Sequence, residues 1–351
     1  MSANTPAPSH SATPVYYLTV GDPLGIGPEI ALKLLQAPAL WQHWLPAPAR
    51  LVVVGHRQTL ELTAQQYQLA WPVAHPRLTW LWVEGCPTTQ PGLIAYHSTV
   101  QAVSQMAELQ QQGIATGLVT GPVSKTHFQA AGLNYPGQTE LLESLAQQFW
   151  PTAQPYRADM LFLYQQFRML LLTRHIPLSA VSARLNASSV YAALQQLVFF
   201  LQNTLHIPYP RLGLLGVNPH AGEVGGHEES QILVPAFQQL CQRHQLAYTP
   251  PMPADAAFRG FRPEKPCFDA YVAAYHDQGL IPVKLIAGFS AVNVTTGLPF
   301  IRTAVSHGMA QDIVGHGIAT PDSLIAALQS LQQLVQAPTK VTPCSSAIQR
   351  I

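Results

Sequence analysis

The sequence predicts an α/β fold built on a mainly parallel sheet. Three observations carry this. Short apolar runs such as VYYLTV, RLVVVG and TGLVT have the length and β-branched content of buried strands. Longer stretches with apolar residues every three or four positions, such as AYHSTVQAVSQMAELQQQ and DSLIAALQSLQQLVQ, read as amphipathic helices. The two kinds alternate along the chain, as parallel strands joined by helical crossovers require.

Taken in order, Val15 to Val20 is the first strand. A Gly/Pro-rich turn follows, and Pro28-Glu29 opens a helix with proline near its first turn, where no intrahelical amide is lost. Arg50 to His56 and Thr79 to Gly85 are the next strands, then come a helix over 95–112 and a strand over 115–123. A helix from about Thr139 precedes strands at 160–164 and 168–175. A helix over 188–205, a strand over 211–220, a helix over 232–244 and a strand running into YHDQG (275–279) continue the pattern. The last element is a helix over 322–336. No internal repeat is present, and the 31 prolines are spread so evenly that no linker stands out.

At 351 residues the chain has room for two domains, or for one large α/β unit split by a cleft. Hydrophobic residues make up 48% and charged residues 10%, so the polar surface leans on Gln, Ser, Thr and His. The formal charge of +1 and the lack of a basic stripe argue against nucleic acid and against an anionic membrane. Cys86, Cys241, Cys267 and Cys344 form no C-x-x-C pair, which argues against a zinc ribbon or a dithiol centre. MSANTPAPSHSATP lacks the basic and apolar regions of a secretory signal, and residues 1–14 are expected to be a disordered tail. No apolar run approaches the roughly 20 residues of a membrane span. A cytoplasmic protein is expected.

In DAYVAAYHDQGLIPVKL, His276, Asp277, Gln278 and Gly279 interrupt an otherwise apolar context. Two other histidines share this placement: His175 after RMLLLTR and His220 after RLGLLGVNP. Each lies just past an apolar strand, where an open α/β sheet presents its binding crevice. A neutral imidazole is also a common metal ligand. The alternative for each is a hydrogen-bonded loop histidine. Two Gly-rich segments stand out as well. GDPLGIGPE (21–29) lacks the spacing of a dinucleotide fingerprint, and no GxxxxGK[ST] is present. HGMAQDIVGHGIATP (307–321) is more unusual, and its backbone amides could approach a nucleotide closely.

The ordered series GDPLGIGPE, VTGPVSK, PGQTELL, GVNPHAGE, PADAAF, YHDQGLIPVKL and VNVTTGLPFIRTAVSHG resembles the 4-hydroxythreonine-4-phosphate dehydrogenase family of pyridoxal phosphate biosynthesis. The resemblance implies an isocitrate/isopropylmalate dehydrogenase-like fold, with two α/β/α lobes around a central cleft. Residues 15–130 plus 290–340 would form the first lobe, and 131–289 the second, with the metal site. A homodimer sharing its active site between subunits is also implied. His175, His220 and His276 would hold a divalent metal (zinc, cobalt or magnesium), and Gln138, Thr139, Lys284, Asn293 and Arg302 would contact substrate. By analogy with the wider superfamily, Gly308, Asp312 and Ile313 would lie at the adenosine end of NAD or NADP.

The activity so implied is oxidation of the C3 hydroxyl of 4-phosphooxy-L-threonine, followed by decarboxylation of the β-keto acid. Lys284, Asp255 and Asp277 are candidates by chemistry for the proton acceptor. The chain departs from the family pattern twice. Gln138 stands where G-H-T-E is usual, and an amide donates a hydrogen bond but takes no proton. HAGEVGGHEES (220–230) is shorter than the usual loop. Rivals are a paralogous dehydrogenase for another four-carbon hydroxy-acid phosphate or a cyclic dihydrodiol, a histidine-metal hydrolase or lyase, and a catalytically silent binding protein.

Overall fold

The computed structural model describes residues 13–36, 45 and 47–336. Residues 1–12 of the expected tail, residues 337–340 of the expected first lobe, and Cys344 lie outside the described residues. The strands are β1 (Val15–Thr19), β2 (Arg50–Gly55), β3 (Leu78–Trp82), β4 (Thr116–Thr120), β5 (Asp159–Tyr164), β6 (Phe167–Leu171), β7 (Leu212–Leu214), β8 (Ala270–Ala273), β9 (Val292–Thr296) and β10 (Ile301–Val305). The α-helices are α1 (Gly27–Gln36), α2 (Arg57–Gln66), α3 (Pro91–Gln111), α4 (Lys125–Ala130), α5 (Gln138–Phe149), α6 (Val181–Arg184), α7 (Ala187–Asn203), α8 (Val234–His244), α9 (His276–Ala287) and α10 (Asp322–Gln336).

The strands make one sheet in the order β3-β2-β1-β4-β10-β9-β5-β6-β8-β7. Residues 15–130 and 290–336 supply the run β3-β2-β1-β4-β10-β9, and 131–289 supply β5-β6-β8-β7. β1 and β4 are buried at every position, which is why they read as continuous apolar runs rather than alternating ones. Both arms of the sheet are parallel, as expected.

The middle is not. β10-β9, β9-β5 and β5-β6 are antiparallel. The β5-β6 turn is Gln165-Gln166, with Gln165 at a φ of 52°, and it carries no Asn-Gly or Asp-Gly signature to announce a hairpin. At the β9-β10 turn Gly297 has a φ of 83°, and a β-carbon there would sit 2.1 Å from the Arg157 carbonyl oxygen. Only glycine fits.

The strand expected to run into YHDQG stops at Ala273, and His276 is the first residue of helix α9. Pro282 inside that helix disguises it in sequence, since an interior proline removes a helical hydrogen bond. Lys284 therefore lies on helix α9 as well. Helix α2 also goes unforeseen; only Leu60 and Ala64 of RQTLELTAQQ are buried, too few to set a period.

Three apolar clusters hold the layers together. One spans both arms, from Leu18, Leu32 and Leu51 to Leu194, Phe237 and Val272. A second joins β1, β2 and β4 to α3 and α5 through Tyr17, Met106, Phe128 and Leu142. A third seats α9 on β6 and β8 through Met169, Tyr271, Leu280 and Val283. Each fully buried large side chain contributes about 1.5–3 kcal/mol. Among the described residues no helix is long and apolar enough to cross a membrane.

Candidate active site

The histidines follow from the sheet order. β6, β8 and β7 are parallel neighbours, so His175, His276 and His220, which come after them, emerge along one edge. The ends carrying His175 and His276 are zipped together. Leu172 N donates to the Ala273 carbonyl at 2.9 Å, and Thr173 donates to the Ala274 carbonyl through N at 3.1 Å and Oγ1 at 2.7 Å. Helix α9 begins close to the sheet because residue 279 is glycine: a β-carbon there would meet Leu171 at 2.4 Å. Gln278 ties this turn down, accepting from Ala274 N at 2.7 Å and donating to the Gly216 carbonyl at 2.6 Å.

The result brings the His175 and His276 rings to 5.5 Å between centroids. Two imidazoles at about 2.0–2.1 Å from one zinc, at tetrahedral angles, have centroids about 5 Å apart. His276 Nδ1 lies 2.7 Å from Asp277 Oδ1. A carboxylate only accepts, so Nδ1 is the donor in this contact, which leaves Nε2 as the nitrogen for a ligand. The pKa of His175 is lowered, first by desolvation and then by the neighbouring His276, which favours the neutral ring a metal needs.

His220 sits on the Pro219–Gly222 turn at a φ of 55°, followed by Ala221 at 56°. Buried Glu229 organises this loop, accepting from Asn218 N at 2.7 Å and Asn218 Nδ2 at 2.9 Å. Among the described residues no three His, Cys, Asp or Glu side chains stand close enough to hold an ion. His175 and His276 are brought together; His220 shares their edge of the sheet without closing a triad.

A second constellation lies on the central strands. Arg302 is only 4% exposed. Its Nε donates to Thr120 Oγ1 at 3.0 Å, Nη1 to Thr295 Oγ1 at 2.9 Å, and Nη2 to Thr120 Oγ1 at 2.6 Å and Gln138 Oε1 at 2.9 Å. Every acceptor is neutral. Burial lowers its pKa to about 10, so it stays charged at neutral pH. Gln138 Nε2, a donor, and Asn293 Oδ1, an acceptor, are buried nearby without partners. Asn293 pairs with Ala304 across β9-β10, and Arg302 with Thr295, so one patch of sheet carries Arg302, Thr295 and Asn293, and Gln138 reaches Arg302 from α5. Thr139 follows Gln138 in the first turn of α5, which has no side-chain cap. Glu140 on that turn and Lys125 at the start of α4 lie within electrostatic reach of His175, which links the two constellations.

Lys284 donates to the Ser306 carbonyl and, at 2.8 Å, to Ser306 Oγ. Desolvation lowers its pKa. Asp255 is exposed.

Gly308, Asp312 and Ile313 belong to the loop after β10, with the first two exposed. That loop packs on the other Gly-rich segment. Ile26 N donates to the Met309 carbonyl at 3.3 Å and Gln311 Nε2 to the Leu24 carbonyl at 3.2 Å. Gly25 leaves room for Met309, whose sulfur would lie 2.8 Å from a β-carbon there. Thr120 and Thr295, which seat Arg302, escape a sequence reading because a threonine in a strand looks like any other. So does the pair of buried Asp22 with His127, at 2.7 Å between Oδ2 and Nδ1 and 105 residues apart.

The profile of the family described as pyridoxal phosphate biosynthetic protein PdxA matches residues 48–331. A 4-hydroxythreonine-4-phosphate dehydrogenase of Thermosynechococcus vestitus is 39% identical over 345 residues, covering 90% of this chain and 96% of that protein. The solved structure of a protein of that name from Klebsiella pneumoniae aligns at a TM-score of 0.74 and 31% identity, over 93% of this chain and all of that one. A terephthalate 1,2-cis-dihydrodiol dehydrogenase from Burkholderia xenovorans aligns at a TM-score of 0.57 and 26% identity, over 92% and 98% of the two chains.

Proposed function

The chain belongs to the PdxA family of pyridoxal phosphate biosynthetic proteins, and from that membership we propose that it is an NAD(P)-dependent 4-hydroxythreonine-4-phosphate dehydrogenase. It oxidises 4-phosphooxy-L-threonine at C3 to 2-amino-3-oxo-4-phosphooxybutanoate. That β-keto acid loses CO2 to give 3-amino-2-oxopropyl phosphate.

The observation that carries this reading is Arg302. A buried cation with no anionic partner among the described residues costs several kcal/mol unless a ligand supplies the charge. A substrate with a phosphate and a carboxylate supplies it, and a guanidinium recognises either in a fixed fork. Gln138 Nε2 offers the substrate a donor and Asn293 Oδ1 an acceptor. The open first turn of α5, with Thr139, adds backbone amides.

His175 and His276, with His220, are the residues that would hold a divalent cation, and Asp277 fixes the His276 tautomer. When bound, the cation supplies Lewis acidity toward the substrate hydroxyl and the later enolate, and the nicotinamide accepts the C3 hydride. Helix α9 carries both His276 and Lys284, and Lys284 reaches Ser306 at the mouth of the Gly308, Asp312 and Ile313 loop. One helix thus couples the histidine edge to the proposed cofactor loop.

The protein acts as a homodimer in this reading. Ile281, Leu285 and Phe289 repeat every four residues along α9 and the turn after it, 67%, 85% and 73% exposed. Such a stripe is an interface in want of a partner. That helix α9 also carries His276 and Lys284 supports an interface close to the active site.

A second reading, a paralogous dehydrogenase acting on another four-carbon hydroxy-acid phosphate or on a cyclic dihydrodiol, is favoured by one observation: the neutral amide of Gln138 in place of the family's histidine. Calorimetric titration with 4-phosphooxy-L-threonine separates the two. The first reading expects saturable binding that Arg302→Met abolishes; no binding to the wild-type protein would favour the second.

A further inference from the structure

Helix α1 carries an ion pair whose partners lie in another part of the fold. Glu29 and Lys33 are four residues apart, with Nζ 2.7 Å from Oε1. Such pairs on a helix surface are weak. Here the Glu29 side chain is 2% exposed and that of Lys33 21%.

The ammonium has three donors, and all are used: Glu29 Oε1, the Gly317 carbonyl at 2.8 Å and the Ala319 carbonyl at 2.7 Å. Glu29 Oε1 also accepts from Ala319 N at 2.9 Å. The pair therefore grips both sides of Ala319, about 290 residues downstream by sequence separation. Tyr67 adds a further hold, its hydroxyl accepting from Gly315 N at 2.8 Å.

In a trans peptide the N–H opposes the C=O. Carbonyls of Gly317 and Ala319 that face α1 turn the following amides, of Ile318 and Thr320, to the outer side. Neither amide donates a hydrogen bond among the described residues, and both residues are exposed. The grip therefore presents two free donors in the loop that also carries Asp312 and Ile313.

We propose that Glu29 and Lys33 are positioning residues for the dinucleotide, holding the 317–320 peptides so that the Ile318 and Thr320 amides meet the coenzyme. This rests on the reading of the 307–321 loop as the cofactor loop. Their effect falls on coenzyme affinity and not on hydride transfer, because neither side chain faces the histidine edge or Arg302.

The test is steady-state kinetics at saturating 4-phosphooxy-L-threonine with NAD+ varied, alongside fluorescence titration with NADH. Lys33→Met strips the three bonds but strands a buried carboxylate, so the neutral pair Glu29→Gln with Lys33→Met is measured beside it. The expected result is a KM for NAD+ raised about tenfold or more, matched by weaker NADH binding, as loss of preorganisation predicts. The kcat and the KM for the phosphorylated substrate should stay within about threefold, and Lys33→Arg should recover most of the loss. An unchanged KM for NAD+ in the folded neutral-pair variant overturns the proposal. Asp312→Ala separates the layers. If it raises the KM for NAD+ while the Lys33 variants do not, the clamp alone is wrong; if none of them does, the cofactor loop itself is misread.

Discussion

Arg302 Nη2 donates to Gln138 Oε1 at 2.9 Å, joining residues 164 positions apart in the chain. The contact fixes the amide, so that its buried Nε2 has no partner of its own. It also leaves the guanidinium facing neutral oxygens only. Gln138→Glu should therefore act in two directions. The new carboxylate would neutralise Arg302, raise the thermal midpoint, and compete with an anionic substrate. The loss of one charge-assisted site is worth about 2–3 kcal/mol, or roughly 30–150-fold in kcat/KM. Calorimetry and steady-state rates check both. A variant that binds substrate as well as the parent would mean that Arg302 does not anchor the anion.

Asp277 is predicted to act through His276. Asp277→Asn keeps the size of the side chain but no longer demands that Nδ1 carry the proton. Loss of such an orienting carboxylate weakens metal binding by about 10–100-fold. His276→Ala should abolish metal binding and turnover with the far-ultraviolet circular dichroism unchanged. Metal content after dialysis against a graded chelator series measures both.

Asp159 gives a pH signature. It is 3% exposed, and burial raises its pKa despite the opposing pull of Arg157 and Arg174. Its folded-state pKa lies above the unfolded value, so the native state binds more protons between the two. Stability therefore falls as pH rises from the unfolded value of about 4 through the folded one. Glu143, also raised chiefly by burial, contributes in the same sense. Asp159→Asn should flatten this slope without removing it, as read from urea midpoints between about pH 4 and pH 7. A variant as steep as the parent would assign the slope elsewhere.

The exposed stripe on α9 predicts the assembly. Leu285→Arg should convert a dimer to a monomer by light scattering, and the monomer should lose turnover, since the stripe shares helix α9 with His276 and Lys284. A parent protein that is already monomeric and active would remove the shared site.

The three histidines are legible in sequence because each closes an apolar run, and chain order alone puts them at strand ends. The proximity of His175 and His276 is less so. It depends on Thr173 bonding across to Ala274 and on Gly279 letting α9 approach β6, contacts about 100 residues apart that no local pattern encodes. Arg302 is picked out in sequence only by the family resemblance, and its strand β10 goes unforeseen; that its neighbours are all neutral is visible only once Thr120, Thr295 and Gln138 converge. GDPLGIGPE and HGMAQDIVGHGIATP each stand out by their glycines, but their packing against one another runs through Met309 in the space left by Gly25. The antiparallel middle of the sheet is hidden by a Gln-Gln turn, and helix α9 by its own proline.

The central claim is that the histidine edge and the Arg302 patch serve one oxidation. It is tested most directly by following NADH or NADPH absorbance with 4-phosphooxy-L-threonine before chelation, after it, and after metal is added back. Reduced coenzyme should disappear with chelator and return with metal. Folded, metal-loaded protein that produces no reduced coenzyme from this substrate would contradict it.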